Sequence, residues 1–216
     1  MSLEFLPTLL SATLVTLEIL AFAAPLSIVT AFTLGLSCLS RLTVLRAAAT
    51  MIVEFLRGIS ALILLFWLFF AFPLFGLSLP AKVCAVVALG LSAGSYGAEI
   101  VRGAILAVPR VQREAAIALN FSSAQRMFRI LIPQALPSML PPFGNLMIEL
   151  LKSTSLASMV TVADLTFRAV QLNATYLRTV ETFTLVLCIY FVLALAITGL
   201  VWLLERQLGR FRTRYQ

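Results

Sequence analysis

Glu149 and Lys152 lie three residues apart in a mostly apolar stretch, with Asn145 before them and Thr154 after them. A charged side chain at the centre of a membrane helix costs roughly 2.5–3.5 kcal/mol on insertion scales, so such groups usually face the protein interior or water. We predict that these four residues contact a small polar solute. The alternative for the two charges is that they pair with each other or reach the outer membrane interface.

Two further carboxylates are candidate solute contacts. Glu99 lies three residues before Arg102, so a structural ion pair at the cytoplasmic interface is a somewhat stronger interpretation than a solute contact. Asp164, in the segment VADLT, is a candidate for binding a cationic group, and its alternative roles are a helix N-cap or a solvated loop residue. Glu54 and Arg57 are also three residues apart and are interpreted as structural.

The residue types exclude several kinds of catalytic or metal site. The sequence has no histidine, and its three cysteines are far apart, so we expect no Ser-His catalysis and no metal site. Asp164 is its only aspartate, which excludes a pair of intramembrane aspartates. A phosphate-binding loop needs Gly-Lys, whereas Lys82 follows alanine and Lys152 follows leucine. We therefore expect no catalytic residues, and any ATP and magnesium must be bound by a partner subunit.

The composition is that of an integral membrane protein. Of 216 residues 61% are hydrophobic and 12% are charged, with a mean hydropathy of +1.04. Soluble domains carry about 25% charged residues. The net charge of +7 does not indicate nucleic-acid binding, because the arginines cluster in short loops between apolar runs, where they set membrane topology.

The apolar runs predict an all-α integral membrane protein with five transmembrane helices. A spanning helix needs roughly 20 mostly apolar residues. The predicted spans are about 8–38, 50–73, 83–107, 134–151 and 179–203, within one domain that covers 1–216. The prolines of the fourth span, which include Pro137, Pro141 and Pro142, are expected to break or kink it, and Gly90, Gly94 and Gly97 to allow close helix packing.

The basic residues predict an external amino terminus and an internal carboxyl terminus, because cytoplasmic loops carry an excess of Lys and Arg. With that orientation, four of the sixteen basic residues lie outside, namely Lys82, Lys152, Arg168 and Arg178. The other twelve lie in the cytoplasm, namely Arg41, Arg46, Arg57, Arg102, Arg110, Arg113, Arg126, Arg129, Arg206, Arg210, Arg212 and Arg214. The polar segment between spans three and four is then cytoplasmic.

That segment predicts a helix, a turn and a second helix. A first helix is expected to end at Asn120, a residue type that tolerates positive φ. Ser122 followed by Gln125 matches a capping box, which starts a second helix. The alternative for the segment is an amphipathic helix that lies on the membrane surface with its arginines facing anionic lipid.

The segment EAAIALNFSSAQRMFRILIP, residues 114–133, resembles the EAA loop of bacterial ABC-importer permeases. That loop has EAA, three residues, Gly, nine residues, Ile, one residue and Leu-Pro; here Asn120 replaces the glycine and Ile132 the leucine. From Glu54 onward the chain resembles the polar amino acid branch, through EFLRGISALILLFWLFF, SYGAEIVRGAILAVPRVQREAAIALN, IPQALPSMLPPFGNLMIELLKSTSLASMVTVADLTF and LRTVETFTL. EAAIALN, LPPFGN and DLTF together most resemble permeases for ectoine and hydroxyectoine.

The resemblance implies a permease subunit of an ATP-driven importer in the bacterial inner membrane. Its expected partners are two ATPase copies, a second permease, an extracytoplasmic solute-binding protein and membrane lipid. The cytoplasmic coupling helix, in the segment 110–126, would dock on the ATPase. The residues expected there are Arg113, Glu114, Ala115, Ala116, Leu119 and Asn120, with the two alanines and Leu119 on one face. The other hypothesis is an ion-coupled secondary carrier for small zwitterions, although no convincing internal repeat supports it.

Overall fold

The computed structural model describes residues 5–212, and side chains as far as residue 207; Arg214, counted above, lies outside this range. The described chain is all-α. Its α-helices, in chain order, are α1 (Leu6–Cys38), α2 (Thr43–Gly58), α3 (Ala61–Phe66), α4 (Ala81–Ala107), α5 (Arg110–Ala118), α6 (Ser123–Gln125), α7 (Ile132–Ser153), α8 (Leu165–Tyr176) and α9 (Thr179–Arg212). Segments Trp67–Ala71 and Arg126–Leu131 are π-helical, and Phe72–Phe75 and Thr154–Val160 are 3-10 helical.

Three helices are individually long and apolar enough to cross a membrane: α1, α4 and the part Thr179–Gln207 of α9. Two bent pairs of helices meet the same test together, so by length and composition the described chain has three possible spans, or up to five if each bent pair is one span. The predicted spans 8–38, 83–107 and 179–203 fall within the three long helices.

The predicted second span, 50–73, contains a sharp bend that its apolar run does not indicate. Segments Thr43–Gly58 and Ala61–Phe75 meet at 98°. Ile59 and Ser60 have extended backbones, with ψ of 138° and 133°, which ends α2 and starts a new direction. A hydropathy run cannot reveal this change of direction, because two residues with extended backbones do not alter the apolar content of the run.

The prolines were predicted to break or kink the fourth span, and they do not break it. α7 is a continuous helix from Ile132 to Ser153 with Pro137, Pro141 and Pro142 inside it. Membrane helices tolerate proline where neighbouring helices and side chains satisfy the freed backbone groups. The irregular backbone lies at the two ends of α7 instead, in the π-helical turn before it and the 3-10 segment after it.

Helices α1 and α4 pack closely against each other through small residues. A methyl group added at Gly94 of α4 would lie 2.5 Å from Cβ of Thr30 and 3.0 Å from the carbonyl oxygen of Ser27, both on α1. A methyl group added at Gly35 of α1 would likewise lie 2.8 Å from the Ala98 carbonyl oxygen. The small residues therefore let the two backbones approach closely, as predicted for the α4 glycines. The main core cluster forms around this pair, with α3 and α7 packed against it.

We expect Gly94→Ala to lower the unfolding temperature of the detergent-solubilised protein. Alanine favours a helix over glycine by about 1 kcal/mol, but the added methyl would separate α1 from α4, and overpacking typically costs about 1–3 kcal/mol. Gly103→Ala is the matched control on the same helix, since a methyl there meets nothing within 4 Å. A thermal unfolding scan in which Gly94→Ala is as stable as Gly103→Ala would contradict the packing described here.

Candidate functional site

One face of α7 is polar along its length. Gln134, Ser138, Asn145, Glu149 and Lys152 recur at intervals of four, seven, four and three residues, which places them on one side of a helix with 3.6 residues per turn. All five are exposed. We call them the α7 polar face. The opposite side of α7 is buried and carries Ala135, Met139, Gly144, Leu146, Leu150 and Leu151.

Glu149 and Lys152 do not pair with each other, which corrects one of the two interpretations above. The ion pairs of the described residues join other side chains, namely Glu54–Arg57, Glu18–Lys82, Glu99–Arg102 and Arg178–Glu181. Two full charges thus stand on the exposed side of a membrane helix with no opposite charge from the described chain. Hydrocarbon would be a costly surrounding for them, so the α7 polar face requires water or another protein surface.

A second polar row on α4 adjoins this face. Ser92, Tyr96 and Glu99 follow at intervals of four and three residues. Ser92 and Tyr96 line one small cavity with Glu149 and Ser153 of α7, which shows that the two rows meet there. The cavity measures about 30 Å³, enough for about one water molecule. A larger solute must therefore lie along the exposed surface, not within this chain.

Glu99 is held in an ion pair, as the structural interpretation predicted. Its Oε2 lies 2.6 Å from a terminal nitrogen of Arg102. Nearby on α4, the Tyr96 hydroxyl donates to the Arg57 carbonyl oxygen at 3.4 Å, and the Arg57 guanidinium lies 5.5 Å from the Tyr96 ring centre. These contacts fix the polar row of α4 against α2. Glu99 consequently contributes a neutralised charge to the row.

Two of the predicted solute contacts are buried inside the chain. Thr154 is fully buried and its hydroxyl donates to the Leu151 carbonyl oxygen at 2.6 Å. Asp164 is also fully buried, and its Oδ1 accepts the Phe167 amide at 2.8 Å as the N-cap of α8. The N-cap alternative for Asp164 is therefore observed. The structure brings Asn145, Glu149 and Lys152 together on one surface and separates them from Thr154 and Asp164.

Ser92, Tyr96, Gln134 and Ser138 were not singled out from the sequence, although they belong to the two polar rows. A signal was present. Ser92 and Tyr96 lie seven and three residues before Glu99, Ser138 lies seven before Asn145, and Gln134 lies four before Ser138, and this spacing marks one helix face. A single serine or glutamine in a membrane helix is a weak signal of function, whereas a single charge is a strong one.

The turn after α5 has the geometry that its sequence predicted. Asn120 has a φ of 57°, and the Asn120 and Phe121 amides donate to the carbonyl oxygens of Ile117 and Ala116 at 2.9 and 3.0 Å. These two bonds form a Schellman motif. The Ser122 amide donates to Gln125 Oε1 at 2.9 Å and the Gln125 amide to Ser122 Oγ at 3.3 Å, so the predicted capping box is present.

The faces of α5 differ from the prediction. Ala116 is 1% exposed and turned inward, whereas Ala115 and Leu119 are exposed. Adjacent residues differ by about 100° around a helix, so Ala116 cannot share the outward side with Ala115. The outward side instead carries Val111, Ala115 and Leu119 at intervals of four residues, an exposed apolar ridge that we call the α5 ridge.

Arg113 and Glu114 also separate. Glu114 is exposed, while Arg113 is half-buried and donates from a terminal nitrogen to the Ile105 carbonyl oxygen of α4 at 2.7 Å. Gln134 of α7 donates to Gln112 of α5 at 3.4 Å. The short helix α5 is therefore attached to both helices that carry the polar rows.

A family model covers most of the chain. The profile of the family described as binding-protein-dependent transport system inner membrane component matches residues 23–210. The chain belongs to this family. It is accordingly a permease subunit of an ATP-driven importer in the inner membrane, and not an enzyme: ATP is hydrolysed by a partner ATPase, and the transport system includes a substrate-binding protein. The ion-coupled carrier alternative is not favoured.

Similar proteins cover nearly the whole chain. A probable amino-acid ABC transporter permease of Sinorhizobium fredii is 44% identical over 92% of this chain and 86% of its own length. The L-cystine transport system permease of Bacillus subtilis is 31% identical over 96% and 89%. A chain of a crystallised amino acid ABC transporter with histidines has a TM-score of 0.87 at 31% identity, with 95% of this chain and 96% of that chain covered.

Proposed function

We propose that this permease carries a polar amino acid or a similarly small zwitterion, such as an ectoine-like compatible solute, across the inner membrane. The solute passes along the α7 polar face beside Asn145, Glu149 and Lys152. The observation that carries this proposal is the pair of opposite charges, Glu149 and Lys152, exposed on one helix face with no internal counter-charge.

The chemistry of these side chains fits a zwitterion. Glu149 can bind a cationic centre, Lys152 a carboxylate, and the Asn145 amide can donate to or accept from either group. A neutral sugar would gain nothing from opposed full charges, and an anion such as phosphate would require several cations together. Glu99, which is paired, and Thr154 and Asp164, which are buried, become secondary candidates. The amino acids named for the related permeases are also zwitterions.

A second permease, identical or similar, would cover the α7 polar face. The polar side chains are too exposed in one chain to enclose a solute, and lipid is an unsuitable neighbour for Glu149 and Lys152. Two such faces opposed across a symmetry axis would form a polar path with apolar helices outside it. Five spans in each permease, with each bent helix pair crossing once, are part of this proposal.

Two copies of the ATPase would dock on the cytoplasmic side, one under each α5. The α5 ridge offers exposed Val111, Ala115 and Leu119, and Glu114 lies beside it for a charge contact. ATP and magnesium are bound by those subunits in this arrangement. The solute-binding protein delivers the solute from outside, and the amino terminus of the permease lies on that side.

Cysteine labelling tests the orientation. In a background without Cys38, Cys84 and Cys188, Gln171→Cys on α8 should react with a membrane-impermeant maleimide added outside intact cells. Arg129→Cys should react only after the membrane is opened. Both positions are exposed, so access depends on the side of the membrane. The reverse pattern would contradict the proposed topology.

Substitutions on α5 test the coupling role. Ala115→Trp and Glu114→Lys should each reduce solute-stimulated ATP hydrolysis of the purified complex by about tenfold or more, the factor that corresponds to a loss of roughly 1.4 kcal/mol. The matched control for Ala115→Trp is Ala174→Trp, which replaces an exposed alanine of α8 and should leave ATP hydrolysis unchanged. Normal hydrolysis in both α5 variants, with normal membrane insertion, would instead support a helix that only rests on lipid.

Uptake by the reconstituted complex tests the substrate and its path. We expect uptake of labelled amino acids or ectoine, but not of sugars or phosphate, and a decrease of about tenfold or more in Glu149→Gln, because one charge-assisted contact to the cationic centre is lost. Glu181→Gln removes an exposed carboxylate from the first turn of α9 and should change uptake little. Sugar transport would refute the substrate class, whereas unchanged zwitterion uptake in Glu149→Gln would refute only the path.

A further inference from the structure

A groove of about 550 Å³ lies between the end of α1 and the segment that leads from α6 into α7. Arg41, Arg113 and Arg126 line it, and its described lining includes no aspartate or glutamate. None of the three arginines takes part in an ion pair of the described residues. The groove is therefore a concentration of uncompensated positive charge.

Two of these arginines also have donors without an acceptor. A terminal nitrogen of Arg113 donates to the Ile105 carbonyl oxygen at 2.7 Å and one of Arg126 to Ser123 Oγ at 3.2 Å. In both, the Nε atom is buried and has no hydrogen-bond partner among the described residues. A buried donor without an acceptor is unfavourable. An anion with several acceptor oxygens would satisfy these groups, and a phosphate matches guanidinium geometry well.

Apart from Ser37, Ser40 and Ser123, the rest of the groove is apolar. Its walls include Leu36, Leu39, Leu45, Met127, Phe128 and Leu131. Leu45 and Phe128 are exposed, so the apolar wall continues onto the outer surface of the protein. A free anion such as inorganic phosphate would have no use for this wall, whereas a molecule that joins a phosphate to hydrocarbon would contact both parts of the groove.

The position of the groove favours lipid as the source of that phosphate. α1 is an apolar span that ends at Cys38, and Arg41 follows three residues later. The groove thus lies at the level where the hydrocarbon ends and phospholipid headgroups begin, on the side that carries the excess of basic residues. Basic pockets between membrane helices at this level suit anionic lipid headgroups.

We propose that this groove binds the phosphate headgroup of an anionic phospholipid. The three arginines hold the phosphate, and the leucine, methionine and phenylalanine side chains contact the upper part of the acyl chains. The site lies apart from the α7 polar face and does not depend on which solute is transported.

Lipid binding to the full chain in nanodiscs tests this proposal. Phosphatidylglycerol should raise the thermal unfolding midpoint relative to phosphatidylcholine alone, and native mass spectrometry should show it retained on the protein. Arg41→Gln and Arg126→Gln should each weaken retention about fivefold and together abolish most of the rise. The matched control is Arg46→Gln with Arg129→Gln, which removes the same charge from exposed positions that do not line the groove.

Each other outcome contradicts the proposal. Equal losses in the test and control pairs would indicate general attraction to a negative surface. Stabilisation by inorganic phosphate in phosphatidylcholine discs, equal to that by phosphatidylglycerol, would indicate a soluble anion as the ligand. Indifference to phosphatidylglycerol, with the groove protected only when the ATPase is added, would assign it to the protein partner. If the Arg41→Gln, Arg126→Gln double variant does not fold, the single variants Arg41→Lys and Arg41→Gln provide the test. Lysine keeps the positive charge, so Arg41→Lys should retain phosphatidylglycerol better than Arg41→Gln.

Discussion

The need to satisfy polar groups away from water governs this structure. The start of α8 is an example inside the chain: Oδ1 of the fully buried Asp164 accepts the Phe167 amide, and Thr16 Oγ1 of α1 accepts the Leu165 amide at 3.1 Å. Oδ2 of Asp164 has no hydrogen-bond partner among the described residues. Backbone amides at the start of a helix have no partner within the helix, so two side chains from different elements supply the acceptors. The chain can therefore change direction between α7 and α8 although the start of α8 is buried.

The same constraint distinguishes charges that are paired within the chain from charges that are not. Glu18 binds Lys82 at 2.6 Å and Glu99 binds Arg102 at 2.6 Å, and each pair links or stiffens spans within one chain. Glu149 and Lys152 have no such compensation, although a three-residue spacing would have allowed it. A charge that the fold itself leaves uncompensated must be compensated by something else, which is the physical argument for a path and for a second subunit.

Local features were predictable from the sequence, whereas the side of a helix on which a residue is buried was less predictable. The positive φ of Asn120, the Ser122–Gln125 capping box and the Glu99–Arg102 pair depend on residues close in the chain, and all are observed. The inward position of Ala116 and the burial of Thr154 depend on where other helices lie. The 98° bend after α2 is set by the two extended residues Ile59 and Ser60, which follow Gly58, and a single glycine in an apolar run does not by itself predict a change of direction.

The attachments of α5 connect the two surfaces of the proposed importer. Arg113 binds the α4 backbone at Ile105, and Gln112 binds Gln134 at the start of the α7 polar face. In the proposed arrangement, a force applied to the α5 ridge by an ATPase would be delivered to α4 and α7 together, the two helices whose polar rows meet at Glu149. α4 is packed tightly against α1 through its glycines, so the two helices cannot be pressed closer together. A displacement of α4 would therefore move the helix as a rigid body and reach the solute path, with little absorbed by rearrangement of the core.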